Sequence, residues 1–65
     1  MRVRFGNRIR LCTVATHSKD SKLLLLTTSN SVYTVDMLTN ENAESHFNNL
    51  LQLGYCDVSE YEYSN

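Results

Sequence analysis

At the start of the chain, apolar and polar residues alternate. Met1, Val3 and Phe5 are separated by Arg2 and Arg4. A period of two marks a strand with one buried face. Gly6-Asn7 breaks the pattern with two residues that tolerate positive φ, a turn signal. Alternation resumes beyond it, with Ile9, Leu11, Thr13 and Ala15 on one face and Arg10, Cys12, Val14 and Thr16 on the other. A two-residue loop would set Phe5 opposite Arg8 and mix the faces. A three-residue loop, Gly6 to Arg8, sets Phe5 opposite Ile9 and Val3 opposite Leu11, and is the expected register, because a one-residue slip flips every side chain.

A polar connection, residues 17–21, leads to Leu23-Leu24-Leu25-Leu26. Four consecutive leucines read as a strand covered at least partly on both faces, too short for a helix of its own. Ser29-Asn30-Ser31 predicts the next turn. The strand from Val32 to Leu38 follows, with Tyr33, Val35 and Met37 on one face. A three-residue loop there pairs Leu25 with Val35 and Leu23 with Met37.

The period then changes to that of a helix. Ala43, Phe47, Leu50 and Leu51 fall on one face. Thr39 is suited to cap the N-terminus, and Glu41 and Glu44 suit the positive end of the helix dipole. Gly54 is suited to end the helix in the left-handed conformation. The expected helix is Asn40 to Leu53, with Phe47, Leu50 and Leu51 buried against Leu23, Leu25, Val35 and Met37. Tyr55 to Val58 is a candidate last strand, and Glu60 to Asn65 reads as an acidic tail, mobile at its end. The fold class is therefore α+β: residues 1–65 form one β-β-β-β-α(-β) domain, a small antiparallel sheet of about four strands with one amphipathic helix on one face.

Length limits what such a domain can do. A chain of 65 residues buries only about 60% of the surface it exposes when unfolded. No stretch approaches the roughly 18 apolar residues of a membrane span, and the N-terminus lacks a signal-peptide core. The expected location is the cytoplasm, with no membrane partner. Cys12 and Cys56 have no neighbouring Cys, which excludes a CxxC motif. Both read as small buried hydrophobes with free thiols.

Charge adds the one strong partner-related signal. All six basic residues, Arg2, Arg4, Arg8, Arg10, Lys19 and Lys22, fall in the first 22 positions with a single acid, Asp20. From residue 23 onward there are six acids and no Lys or Arg. The net charge of -1 hides this division.

No active site emerges. His17 and His46 lack ligands at metal spacing, so no metal site is expected. The only glycines are Gly6 and Gly54, which excludes a phosphate-binding Gly-rich loop. Nothing joins either Cys to a His and an acid as a nucleophile system. The expectation is a non-enzyme without a cofactor.

Two surfaces compete as binding sites. Glu41, Glu44, Asp57, Glu60, Tyr61, Glu62 and Tyr63 form an acidic and aromatic set suited to a protein partner with a basic groove. Against this stands a solvated helix face and tail. Arg2, Arg4, Arg8 and Arg10 form a basic β-hairpin suited to a nucleic-acid backbone. In the expected register Arg4 faces Arg10, a like-charge contact costing about 0.2–1 kcal/mol. The internal alternative has Asp36, Asp57 or Glu60 and Glu62 folded back beside the arginines. A structural subunit pairing through a strand edge is a third reading.

The opening Met1–Asn7 with Phe5-Gly6-Asn7, the strand Val32-Tyr33-Thr34-Val35-Asp36, the acidic helix and the ending Leu53-Gly54-Tyr55-Cys56-Asp57-Val58-Ser59 resemble small proteins of Gram-positive phages and mobile elements. Some of those are anti-CRISPR inhibitors. The resemblance implies a stoichiometric inhibitor of a host nucleic-acid enzyme, a Cas nuclease in the bacterial cytoplasm, binding a basic groove through carboxylates. The alternative is a small nucleic-acid-binding module that uses the arginine hairpin. The basic hairpin departs from a purely acidic DNA mimic.

Overall fold

A computed structural model describes residues 1–17 and 19–65, without the side chains of Val14 and His17; the expectations for those side chains and for Ser18 lie outside it. The elements are β1 (Arg2–Phe5), β2 (Arg8–His17), β3 (Lys22–Thr27), β4 (Val32–Asp36), α1 (Asn40–Leu53), β5 (Tyr55–Asp57) and β6 (Glu62–Ser64). The α+β class holds. The sheet has six strands in the order β5-β1-β2-β3-β4-β6, more than the four expected. It is mixed, because β5 runs parallel to β1.

The helix occupies its expected span. The Thr39 side chain accepts from the Asn42 backbone N–H at 3.1 Å, and Gly54 closes the end at φ 68°. The inward stripe is narrower than expected. Ala43 and Leu50 are buried and Phe47 packs against the core, but Leu51 is 64% exposed. Positions 43, 47 and 50 span less of the helix circumference than 43 to 51, and only that strip meets the sheet.

Both hairpin registers differ from expectation. In the first, Phe5 lies opposite Arg8 and Val3 opposite Arg10, so the loop is Gly6-Asn7 alone. Gly6, at φ 63°, sits at the first central position, as a tight primed turn needs. Arg4 therefore pairs with Ile9, not Arg10, and the like-charge contact does not form. Ile9 and Leu11 point outward, 54% and 56% exposed. Arg10 points inward, its guanidinium 5.9 Å from the centre of the Tyr33 ring. A long side chain can cover apolar surface with its stem and keep its charge wet.

A bulge reconciles this register with the rest of β2. The pairing slips between Cys12 and Val14, leaving Thr13 as an extra residue. Before it, the even positions Arg10 and Cys12 point inward; after it, the odd position Ala15 packs on the core. One extra residue exchanges the faces and bends the strand. The β3–β4 loop has three residues as expected, but they are Thr28-Ser29-Asn30. Leu23 thus pairs with Val35 and Leu25 with Tyr33. Asn30, at φ 66°, supplies the left-handed residue that closes such a loop. Leu23, Leu25, Tyr33, Val35 and Met37 are all buried, so the face assignment survives the shift.

The sheet is strongly curled. In a flat sheet with strands about 4.8 Å apart, β1 and β6 would lie roughly 19 Å from each other. Yet Phe5 of β1 and Tyr63 of β6 have ring centres 4.8 Å apart. Tyr33 of β4 joins them, 5.1 Å from Phe5. The β5–β1–β2 wall therefore faces the β3–β4–β6 wall across an aromatic interior, and α1 packs against β5, β2 and β3. The acidic tail is not a loose end: residues 62–64 pair antiparallel with β4 and form one edge of the sheet.

Candidate functional site

The antiparallel pairing of β6 with β4 brings the C-terminal acids beside the end of β4, with Glu62 opposite Asp36. Asp36, Leu38, Glu60, Tyr61 and Glu62 line a depression of about 280 Å³. An adjoining depression of about 270 Å³ is lined by Lys22, Thr34, Asp36, Glu62, Tyr63 and Ser64. Four of the seven expected acidic and aromatic residues, Glu60, Tyr61, Glu62 and Tyr63, thus share one corner.

Local chemistry fixes that corner. The carboxylate of Asp36 accepts from the backbone N–H of Leu38 at 3.1 Å and meets the Lys22 ammonium at 3.2 Å. The Leu38 bond first, then Lys22, holds the Asp36 carboxyl below its ordinary range. Leu38 itself has φ 71° and is 74% exposed. A left-handed leucine is strained backbone that its surroundings must hold in place. Tyr61 stands edge-on to His46, with ring centres 5.3 Å apart. His46 Nδ1 in turn bonds the Asn42 carbonyl. Tyr63 leans on Phe5 and Tyr33 while remaining 52% exposed.

The other three expected residues lie elsewhere. Glu41 and Glu44 line a separate shallow groove on the solvent side of the helix with Ser45, Asn48 and Asn49. Asp57 is on β5 beside Arg4. Its carboxyl is held below the ordinary range chiefly by the Ser59 hydroxyl and then by the Ser59 backbone N–H. Asp36 and Leu38 were missed in the sequence. An Asp two residues before the apolar residue that precedes a helix cap was the available signal.

The arginines do not form one cluster. Arg2 and Arg4 face outward from the β5–β1–β2 wall, Arg2 with its guanidinium 5.7 Å from the centre of the Tyr55 ring. Arg4 donates from Nε to the Gly6 carbonyl at 2.8 Å. Arg8 and Arg10 lie on the other side of the hairpin, opposite Phe5 and Val3. Of the acids expected to fold beside them, Asp57 does so with Arg4, whereas Asp36 pairs with Lys22.

Cys12 and Cys56 are buried free thiols. Burial first, and then the nearby Cys12 and Asp57, push the Cys56 thiol up to about 12. Among the described residues, no group of three or more His, Cys, Asp or Glu side chains is placed to hold a metal ion. Nor, among the described residues, is any helix long and apolar enough to cross a membrane. Compared with protein families, curated proteins and solved structures, the chain matches none of them.

Proposed function

We propose that this chain is a non-enzymatic binding protein that presents the corner around β6 to a basic protein surface. The convergence of Asp36, Glu60 and Glu62 on one corner with Tyr61, Tyr63 and Leu38 carries the reading. Aromatic anchors rimmed by carboxylates are a favourable interface composition, and the carboxylates steer a basic partner toward them. The partner class follows from the resemblance to phage and mobile-element inhibitors: a host Cas nuclease, met in the bacterial cytoplasm and blocked stoichiometrically. Nucleic acid as partner has less behind it, because the four arginines are divided between two sides of the hairpin.

A purified Cas9-class nuclease, immobilised and exposed to wild type and to Glu60→Lys/Glu62→Lys, tests the proposal. The double variant should associate more slowly, since rim charges act mainly on the on-rate. The difference should shrink at 1 M salt, where the Debye length is about 3 Å. Equal binding by both proteins would remove the corner from the interface. A wild type that ignores the nuclease but retards DNA on a gel, with retardation lost in Arg2→Ala/Arg4→Ala, would replace this reading with the nucleic-acid one.

A further inference from the structure

The charge division along the sequence becomes a division across the fold. Because Phe5 meets Tyr33 and the half-exposed Tyr63 on the facing sides of the two walls, their outer surfaces point away from each other. The outer surface of the β5–β1–β2 wall carries Arg2 and Arg4 beside the exposed Ile9 and Leu11. The outer surface of the β3–β4–β6 wall carries the half-buried Leu24 and Leu26 and the 53% exposed Val32, with Asp36 and Glu62 at its far end. Single exposed apolar residues are ordinary, but grouped ones rimmed by charge mark contact surfaces. Each surface holds one charge of the other sign: Asp57 beside Arg4, and Lys22 paired with Asp36.

We infer that the two surfaces fit each other, so that the partner is a second copy of this chain docked head to tail. Ile9 and Leu11 of one copy lie on Leu26 and Val32 of the next, and Arg2 and Arg4 meet Asp36 and Glu62. The surfaces that touch are different, so the contact is heterologous. Each pair leaves one surface of each kind free, and association continues into a ring or a filament. The acidic corner takes part in the contact, so self-association competes with the protein partner proposed above.

Sedimentation velocity on the full chain tests this. The average mass should rise above the 7.5 kDa of one chain with concentration, and the rise should weaken at 1 M salt. Arg4→Glu/Leu11→Asn spoils one surface and Val32→Asn/Glu62→Arg the other. Each variant alone should remain a monomer. Mixed in equal amounts they should form a particle of twice the single-chain mass and nothing larger, because each still has one intact surface. A wild type that stays monomeric at every concentration overturns the inference. So does either variant that dimerises alone, which would show a surface pairing with itself. Should a variant fail to fold, dilution of the wild type followed by NMR decides. Shifts at Ile9 and Leu11 together with Leu26 and Val32 support the contact, and shifts on one wall alone overturn it. Arg4→Glu/Leu11→Asn keeps the acidic corner, so its nuclease binding reports on the functional proposal independently.

Discussion

Phe5 and Tyr63 stand near opposite ends of the chain and four steps apart in the strand order, yet their rings meet edge to face at 4.8 Å. That contact, with Tyr33 beside it, closes one wall onto the other, away from the β2–β3 pairing that links them. Phe5→Ala should lower stability by about 3–5 kcal/mol, the usual cost of emptying an aromatic site in a core. Domains of this kind hold only about 5–15 kcal/mol in total. Urea denaturation measures it; a midpoint unchanged from wild type would mean that the aromatic contact does not hold the walls together.

Removing residues 62–65 should also destabilise the protein. It deletes β6, uncovers the β4 edge and takes Tyr63 off Phe5. A free strand edge also invites pairing between chains. The expected result is a lower melting temperature with aggregation on heating. A truncated chain that melts like the intact one would restore the loose-tail expectation.

Two adjacent helical leucines should respond oppositely. Leu50 is 1% exposed and Leu51 is 64% exposed. Leu50→Ala should cost about 2–5 kcal/mol, and Leu51→Ala should stay within about 0.5 kcal/mol. Similar losses at both positions would place the helix in a different rotation.

Alkaline pH should weaken the fold through Cys56. Its thiol is raised from an ordinary 9.0 to about 12 in the folded chain. Between those values the native state keeps a proton that the unfolded state has released. Stability from this group is therefore full below pH 9 and is lost progressively toward pH 12. Other groups titrate in that range, so the measurement is the difference between wild type and Cys56→Ala. The wild type should lose more stability on going above pH 9. The same neutral thiol should resist alkylation in the native state, because the thiolate is the nucleophile.

What could be read from the sequence was whatever local chemistry decides. Thr39 and Gly54 act within a turn of themselves, so the helix ends were legible. The alternation through Tyr33, Val35 and Met37 likewise fixed a buried face. The first hairpin was not legible, because its apparent conflict, Phe5 opposite Arg8, is resolved at a distance: Thr13 resets the parity of β2 and Arg10 covers Tyr33. β6 did carry a signal. Glu60, Tyr61, Glu62 and Tyr63 alternate with period two, but the acids outweighed the pattern. Convergence of Asp36 with the tail needed the pairing of β6 with β4 across some 26 positions of chain, which no local pattern encodes.

The parallel pairing of β1 with β5 bears on the order of folding. The two hairpins and the helix close short loops, whereas β1 reaches β5 only when the far end of the chain returns. The bond from the Gly6 backbone N–H to the Ser59 hydroxyl spans 53 positions, and the Arg2 N–H reaches the Gly54 carbonyl only once the helix end exists. Contacts of such separation form late, after their chain entropy has been lost. The seam between β1 and β5 should then be the first part of the molecule to come apart. In native-state hydrogen exchange, the Val58 amide bonded to the Arg4 carbonyl should lose its proton sooner than the amide of Leu25.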